Sequence, residues 1–323
     1  MVATADQPTP NPIVWCIAGP TASGKSAVAT ALAQHWPVEI INVDSATIYQ
    51  QMNIGTAKPG VRERQHTPHH LLDMIDPSES YSVARFKTDA QHIVQEVIGR
   101  GHIPLLVGGT MMYINALQHG LHDLPSADDA IRKELELEAL ANGWPAMHQR
   151  LSQIDAVTAA RLAPNDSQRI QRALEVWHTS GEPLSAWLAK PLPQSASAFS
   201  TRLISLEPSD RLVLHQRIKN RFNIMIDDGL VDEVCTLFER GDLNPDMPSI
   251  RCVGYRQIWA YLIHELSLAD AREQAIAATR QLAKRQLTWL RSMPERTVID
   301  CLDAHAPAQV IDTLAPHFNN QLI

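Results

Sequence analysis

Two kinds of hydrophobic pattern alternate along the first 120 residues of the chain. Short apolar runs at Ile13–Ala18, Val38–Val43 and 103–107 have the length and the flanking turn residues of buried strands. Between the last two runs, apolar residues recur every three or four positions over 86–98, and Gly101 follows them as a helix stop. Strands that alternate with helices predict an α/β fold, in which a parallel sheet core carries helices on both faces.

The pattern changes near residue 121. Residues 128–180 show no strand-like run and are predicted to be wholly helical, whereas 181–200 are rich in Pro, Ser and Ala, which is typical of a connector. A strand-like run returns at 203–206. Further helices are predicted over 210–228, 230–240, 254–266 and 269–291.

These patterns predict a domain organisation with an interrupted core. The core is expected to comprise 13–120 and 201–315, and 121–200 are expected to form an all-helical insertion domain that contacts the substrate. Residues 1–12 contain several prolines and no apolar run, so we expect a disordered leader there and not a signal peptide.

Composition and charge narrow the class of protein. No apolar run reaches the roughly 18 residues of a membrane span. The four cysteines form no CxxC pair, which predicts reduced thiols in the cytoplasm and neither a disulfide framework nor a zinc site. The net charge of −7 argues against a globally basic nucleic-acid binder but is compatible with a local basic channel.

The strongest single motif is the segment GPTASGKS, which fits the P-loop pattern GxxxxGK[ST] and follows a predicted strand. Its glycines let backbone N–H groups turn toward one anion, and the helix that follows adds its dipole. Lys25 supplies a positive charge, and Ser26 is suited to Mg²⁺ bound together with phosphates. The predicted phosphate-binding residues are Gly19, Pro20, Thr21, Ala22, Ser23, Gly24, Lys25 and Ser26.

The position of the nearest acid is unusual for a nucleotide hydrolase. A later strand of such proteins usually ends in an aspartate that helps to hold Mg²⁺. Here the strand at 103–107 runs into Gly108, Gly109 and Thr110, and the acid is Asp44, which follows the second strand and precedes Ser45. Parallel strands end at one edge of the sheet, so these residues are expected to converge where ligands bind in such folds.

Several further segments, in the same order along the chain, resemble bacterial tRNA dimethylallyltransferases. They are GPTASGKS, DSATIYQQMNIGTAKP (44–59), PHHLLD (68–73), LLVGGTMMYINAL (105–117), QRIQRALEVW (168–177), RCVGYRQIW (251–259) and KRQLTWLR (284–291). The resemblance spans about residues 13–291 and rests on several unlinked motifs. It is therefore much more specific than the P-loop alone.

The resemblance implies a reaction and its partners. Dimethylallyl diphosphate would donate its five-carbon group to N6 of adenine 37 in the tRNA anticodon stem-loop, and pyrophosphate would leave with the help of Mg²⁺. We expect Lys25, Asp44 and Thr110 to be the catalytic residues of a monomeric enzyme. Asp44 is the candidate base or acceptor for the N6 proton, although it could instead bind Mg²⁺ or cap a turn. Thr110 could bond adenine or phosphate, or serve only as a helix N-cap.

The same resemblance and the placement of basic residues predict a tRNA-binding set. Its members are Asp44, Ser45, Ala46, Thr47, Thr110, Arg132, Gln168, Arg169, Ile170, Gln171, Arg172, Arg251, Cys252, Val253, Gly254, Tyr255, Arg256, Lys284, Arg285, Gln286, Leu287, Thr288, Trp289, Leu290 and Arg291. Tyr255 could stack on a base or simply pack. Arg217 and Arg221, one helical turn apart, could close over the donor diphosphate or form surface ion pairs.

Helical spacing divides the last long predicted helix into two faces. Arg280, Lys284 and Arg291 fall on one side, which predicts a basic stripe for the phosphate backbone, although Leu287 also lies within it. The opposite face is expected to pack through Ala275, Ala278, Leu282 and Trp289. An acidic protein that gathers cations in this way could bind RNA locally.

Two other functions fit part of the sequence. A P-loop kinase for a small metabolite would place ATP on the loop and use Asp44 to activate a hydroxyl, and a non-catalytic RNA-binding switch would use a nucleotide for regulation. The missing acid after the strand at 103–107 and the basic helix argue against the kinase. His69 and His70 resemble metal ligands but lack a third ligand with suitable spacing, so structural roles are favoured.

Overall fold

The computed structural model describes residues 11–192 and 199–321, and these residues form six strands and fourteen helices. The strands are β1 (Ile13–Ala18), β2 (Val38–Val43), β3 (His69–His70), β4 (Ile103–Gly108), β5 (Ser200–Glu207) and β6 (Thr297–Asp300). The helices are α1 (Lys25–Ala33), α2 (Val61–His66), α3 (Val83–Gly99), α4 (Met111–His119), α5 (Asp129–Asn142), α6 (Trp144–Ile154), α7 (Ala156–Ala159), α8 (Ser167–Ser180), α9 (Leu184–Ala189), α10 (Arg211–Asp227), α11 (Leu230–Glu239), α12 (Tyr255–Leu262), α13 (Leu268–Arg291) and α14 (Ala306–Gln321).

The six strands form one parallel sheet in the order β3-β2-β4-β1-β5-β6. Its central strand β1 pairs with β4 on one side and with β5 on the other, so the P-loop that follows β1 emerges in the middle of the sheet. The predicted parallel α/β core with helices on both faces is confirmed. Because all strands run in one direction, the segments that follow β1, β2 and β4 meet at the carboxyl edge.

Two apolar layers cover the two faces of this sheet. Along β1, Val14, Cys16 and Ala18 point to the layer formed with α3, α4 and the helices α10–α13, whereas Trp15 and Ile17 point to the layer formed with α1 and α14. This alternation is the period of two that a strand buried on both faces requires. The sheet is therefore packed on both faces, which holds its carboxyl edge in place.

The chain divides into two compact units, Met1–Gln118 together with Ser197–Ile323, and His119–Ala196. The smaller unit consists of α5 to α9 packed around its own apolar cluster, which includes Leu135, Leu151 and Leu174. Two expectations for this region were wrong in detail. Residues 128–180 are four helices separated by turns, and the expected connector contains α9, whose Leu184 contacts the cluster.

Several elements were not expected from the sequence. β3 has only two residues and β6 only four, so neither offers a recognisable apolar run. α14 contains Pro316, which weakens a helix prediction, yet Val310, Leu314 and Phe318 bury its inner face. α12 ends at Leu262, earlier than expected. The expected disordered leader lies outside the described residues except for Asn11 and Pro12.

A membrane span was not expected from the sequence. Across the part of the chain that the structure describes, no helix has both the length and the apolar character needed to cross a membrane.

Candidate active site

The P-loop curls around the side chain of Lys25 at the start of α1. Lys25 Nζ donates to the carbonyl oxygens of Gly19 (3.0 Å) and Pro20 (2.8 Å). Gly24 has a φ of 85°, in the left-handed region that favours glycine, and a Cβ at Gly19 would come within 2.8 Å of the Leu206 carbonyl oxygen. The glycines of the motif therefore permit a tight turn that a chain of larger residues could not make.

The loop contains donors suited to an anion. Ser23 is buried, and its Oγ has no hydrogen-bond partner within 11–192 and 199–321. A buried hydroxyl without a partner is costly, and a phosphate oxygen would satisfy it. The first turn of α1 adds its unpaired N–H groups and its dipole.

Three charged groups meet beside the P-loop. Burial lowers the pKa of Lys25 to about 8, while the nearby Asp44 carboxylate raises it and the Arg221 guanidinium lowers it. Burial also lowers the pKa of Arg221, and Asp44 partly counteracts this effect. Arg221, on α10, has no hydrogen bond or ion pair to any residue that the structure describes. Lys25, Asp44 and Arg221 therefore lie close enough to influence one another electrostatically, and neither cation forms an ion pair with a described residue.

Arg217, the neighbour of Arg221 one turn earlier, lies differently. Its guanidinium donates to the carbonyl oxygen of Cys301 at 3.0 Å, where it fixes the end of β6. The two arginines therefore do not act as a matched pair.

Asp44, Ser45 and Thr110 form the second part of the site, where β2 and β4 end. Thr110 Oγ1 accepts a hydrogen bond from the Ser45 backbone N–H at 3.0 Å and donates to Ser45 Oγ at 3.3 Å. Asp44 Oδ1 accepts from the Ala46 N–H at 2.9 Å, so the carboxylate does stabilise a turn. Its other oxygen, Oδ2, receives no hydrogen bond from the described residues and is free to accept one from a ligand.

Close contact between the two strand ends fixes this arrangement. The backbone N–H groups of Gly109 and Thr110 both donate to the Val43 carbonyl oxygen at 3.1 Å. A Cβ at Gly108 would overlap the Val43 backbone, so only glycine permits the approach. The Thr110 hydroxyl bonds to Ser45 and not to the first turn of α4. The alternative that Thr110 serves only as an N-cap is therefore wrong.

Gln286, predicted to bind tRNA, is buried between the P-loop and the β4–α4 loop. Its Oε1 accepts from the Thr21 N–H, and its Nε2 donates to the Gly109 carbonyl oxygen, both at 2.9 Å. Both functional ends of the side chain are thus occupied inside the protein, which corrects the expectation of a direct RNA contact.

Tyr255 is also buried, and its stacking alternative is wrong. Its hydroxyl donates to Glu233 Oε1 at 2.6 Å, and its ring lies against Gly55, where a Cβ would come within 2.5 Å of it. Glu233 also accepts from the N–H groups of Asn53, Ile54 and Gly55 at 2.8 to 3.2 Å. Sequence analysis missed Glu233, whose backbone partners at 53–55 are about 180 positions away. It anchors the loop that follows the Asp44 segment.

Other members of the predicted tRNA set differ in exposure. Thr47, Ile170, Gly254, Leu287 and Leu290 are buried and present little surface to a ligand in this structure. Cys252 lies near Asp44, and burial raises the pKa of its thiol to about 12, with a smaller contribution from that carboxylate. Val253 and Ala46 are partly exposed. Exposed members are Ser45, Gln168, Arg169, Arg251, Arg256, Lys284, Arg285, Thr288, Trp289 and Arg291.

The expected faces of α13 were partly wrong. Trp289, expected to pack, is 39% exposed, whereas Leu287, placed in the basic stripe, is 5% exposed and packs with Ala283 and Leu290. Arg280 is only partly exposed. Leu287 and Gln286 lie on the inner face, so the exposed cations of the last turns are Lys284, Arg285 and Arg291.

In the smaller unit, a buried carboxylate holds two of the predicted tRNA contacts. Glu175, absent from the predicted set, accepts from Arg132 at 2.8 Å and from Arg172 at 2.7 Å. It also accepts from the Asp128 N–H at 3.0 Å. Gln171 donates to the Arg132 carbonyl oxygen and to Glu136. Arg132, Gln171 and Arg172 are therefore engaged within the unit and are only partly exposed.

His69 and His70 have structural roles, as favoured from the sequence. His69 Nδ1 contacts the Thr67 carbonyl oxygen at 2.7 Å, and His70 Nε2 contacts Glu39 Oε2 at 2.6 Å. Glu39 also binds Arg100 and His102, and these partners, chiefly Arg100, hold the pKa of its carboxyl at about 2. Together they join the second, third and fourth strands near the opposite end of the sheet.

The residues present fit a Mg²⁺ ion that is bound mainly through its ligand. No group of three or more His, Cys, Asp or Glu side chains in the described part of the chain could hold a metal ion. The Ser26 side chain, however, is exposed at the first turn of α1. Mg²⁺ commonly takes few protein ligands and several phosphate oxygens and waters. Ser26 together with a bound diphosphate would match that preference.

The fold and the site define an α/β P-loop protein whose phosphate loop faces a carboxylate and a hydroxyl at the carboxyl edge of the sheet. The model of the family described as IPP transferase matches residues 47–293. The chain belongs to this IPP transferase family.

Individual proteins agree with this assignment. The chain is 58% identical over 305 residues to a tRNA dimethylallyltransferase of Bordetella petrii, covering 94% of this chain and 97% of that protein. It is 56% identical over 313 residues to a tRNA dimethylallyltransferase of Paraburkholderia xenovorans, covering 96% and 98%. The family suggested by the sequence motifs is confirmed.

Solved structures of related enzymes agree with the family assignment. A full-length tRNA isopentenylpyrophosphate transferase from Bacillus halodurans matches with a TM-score of 0.69 and 35% identity, covering 96% of this chain and 98% of that one. A eukaryotic dimethylallyltransferase acting on tRNA matches with a TM-score of 0.77 and 27% identity, covering 96% and 80%.

Proposed function

We propose that this chain transfers a dimethylallyl group from dimethylallyl diphosphate to N6 of adenine 37, next to the tRNA anticodon, and releases pyrophosphate. The observation that carries the proposal is that Lys25 of the P-loop lies within electrostatic range of both Arg221 and Asp44, in a chain of the IPP transferase family. Two cations and a row of backbone N–H groups suit a diphosphate, and a carboxylate suits the amine that must lose a proton.

The leaving group is stabilised first. As the bond between C1 of the dimethylallyl group and the diphosphate oxygen breaks, its electron pair goes to the diphosphate. The P-loop N–H groups, the Lys25 ammonium and the Arg221 guanidinium then meet the developing charge in fixed positions. A Mg²⁺ ion held by Ser26 and the diphosphate oxygens would supply further positive charge.

The acceptor, N6 of adenine, is activated where β2 and β4 end. N6 of adenine forms the new bond to C1, and one of its protons passes to Asp44 Oδ2. Thr110 keeps Ser45 and the Asp44 turn in place and offers its hydroxyl to the same region. A base inside a stem cannot reach such an edge, so adenine 37 must be turned out of the anticodon loop.

The RNA contacts that we propose are the exposed members of the predicted set. Lys284 and Arg285 on α13, together with Arg251 and Arg256, make no ion pair with a described residue and can meet phosphates on the surface of the larger unit. Arg291 is also exposed, but its guanidinium lies 3.9 Å from the Glu207 carboxylate. Gln168 and Arg169 at the start of α8 are the exposed candidates in the smaller unit, where Arg169 also pairs with Asp166 at 2.5 Å. We also propose that the enzyme works as a monomer in the cytoplasm, because one chain supplies every group named above and tRNA is its substrate.

A metabolite kinase is not favoured. β4 ends in Gly108 and continues into Gly109 and Thr110, without the carboxylate that would hold Mg²⁺ on ATP. The related proteins are named for tRNA modification.

One assay tests the proposal. The protein is mixed with labelled dimethylallyl diphosphate, unmodified tRNA and Mg²⁺, and separately with labelled ATP and candidate metabolites. Label is expected in the tRNA at adenine 37. Turnover of ATP together with an inert prenyl donor would overturn the proposal.

A further inference from the structure

Gln286 occupies a position unlike that of its neighbours on α13. Lys284, Arg285 and Trp289 are exposed, whereas Gln286 is buried and points inward. One side chain contacts two loops that carry the reaction: Thr21 in the P-loop and Gly109 after β4.

The two contacts require both halves of an amide. The Thr21 N–H needs an acceptor and the Gly109 carbonyl needs a donor, and Gln286 supplies Oε1 to the first and Nε2 to the second. A Cβ at Gly109 would overlap Nε2, so the absence of a side chain there makes room for the amide. The contact with Gly109 is buried and the contact with Thr21 is partly buried, so removal of the amide would cost both backbone groups a shielded hydrogen bond.

From Gly109 the connection continues to the candidate base. Thr110 follows Gly109 directly and bonds to Ser45, which is adjacent to Asp44. A short series of hydrogen bonds and peptide bonds thus joins the loop that would hold the diphosphate to the carboxylate that would take the N6 proton. Gln286 is the member of this series that comes from outside the sheet edge.

We infer that Gln286 is a positioning residue that fixes the P-loop relative to the Thr110 loop, and so sets the separation between the diphosphate and the proton acceptor. The inference rests on the proposed function. If so, the segment 284–291 has two roles. Its exposed cations face the RNA, and the buried amide of Gln286 fixes the positions of the two loops at the reaction centre.

The test compares Gln286→Met with Gln281→Met, the same substitution at an exposed position of the same helix. Inorganic pyrophosphate with Mg²⁺ is titrated by calorimetry, and a tRNA anticodon stem-loop is titrated separately. Loss of the two hydrogen bonds is expected to weaken pyrophosphate binding about tenfold, with the number of sites per chain unchanged. Stem-loop affinity should stay within about twofold of the parent, because no exposed RNA contact changes. Gln281→Met should alter neither affinity.

Steady-state rates separate positioning from loss of folded protein. Misplacement of the two loops should raise KM for dimethylallyl diphosphate and also lower kcat, since the distance between the reacting groups changes. Partial unfolding would instead lower kcat and the number of binding sites together and leave KM unchanged, and that result would overturn the inference.

A second variant tests the contact between Gln286 and Gly109 by changing Gly109. Gly109→Ala should displace the Gln286 amide and reproduce the weaker pyrophosphate binding, whereas Gly99→Ala, in open space on α3, should not. The inference is wrong if pyrophosphate affinity is unchanged in both Gln286→Met and Gly109→Ala, or if Gln286→Met weakens only stem-loop binding. Failure of the parent protein to prenylate tRNA would overturn the proposed function instead, and the pyrophosphate titrations would still decide the role of Gln286.

Discussion

The sheet edge of the larger unit and the interior of the smaller unit both contain arginines, but these arginines differ in whether a carboxylate binds them. In the smaller unit, Arg132 and Arg172 share the buried carboxylate of Glu175. At the sheet edge, Arg221 has no such partner among the described residues, and Lys25 bonds only to carbonyl oxygens. A cation that is paired with a carboxylate of its own chain mainly supports the fold, whereas one that forms no ion pair is prepared for an anionic ligand.

The largest expected effect concerns the acid that this edge does contain. Asp44→Ala should lower kcat for prenyl transfer by about 10²- to 10⁴-fold, because it removes the proton acceptor. Affinity for tRNA should stay within several-fold, as measured by filter binding. If the variant instead loses tRNA binding while single-turnover chemistry stays intact, Asp44 is a binding residue and not the base.

Removal of the acid from the smaller unit should affect stability and not chemistry. Glu175→Ala leaves two arginines beside a buried gap and should lower the free energy of unfolding by roughly 3 kcal/mol. Urea denaturation measures this, with Glu134→Ala, an exposed position on α5, as the control. Pyrophosphate affinity should not change. A large loss of that affinity would contradict the separation of roles drawn above.

The lowered pKa of Lys25 predicts how donor binding depends on pH. The ammonium form binds a diphosphate, and a bound diphosphate would raise the pKa of Lys25. Affinity for pyrophosphate should therefore fall as pH rises through about 8, by up to about tenfold per pH unit. A lysine with an ordinary pKa would show no such fall until near 10.5.

Calorimetry between pH 7 and pH 9.5 measures this dependence, and Lys25→Arg provides the control, because arginine stays charged throughout the range. The same decline in both proteins would show that some other group is responsible.

The smallest expected effect concerns the exposed cations of α13. Arg285→Ala should reduce the slope of log affinity against log salt by about one unit for the tRNA stem-loop. Gln281→Ala should leave the slope unchanged. A flat salt dependence in the parent protein would exclude these cations as the main RNA contact.

Local sequence patterns were sufficient to predict much of the fold and part of the candidate site. β1, β2 and β4 are buried apolar runs, and the P-loop is a contiguous motif, so the sequence displays both directly. Asp44 and Thr110 could be placed together because parallel strands end at the same edge. β3 and β6 were missed because they are too short to produce a pattern.

The parts of the site that the sequence could not predict depend on contacts between residues far apart in the chain. Gln286 meets Thr21 across 265 positions, and Glu233 meets Asn53 across 180. Helical spacing alone could not show that Leu287 faces inward and Trp289 outward, since both residues are apolar. Partners of this kind become visible only when the sheet and the helices are assembled.

The pairing of β1 with β5 has a consequence for how this chain folds during synthesis. Ile13 lies opposite Ser200, so one side of the central strand stays unpaired until the ribosome has produced the whole of the smaller unit and β5. The smaller unit is continuous in sequence and needs no later segment, whereas the P-loop strand must wait for a distant partner. The reaction centre is therefore completed late, after its insertion has already had time to fold.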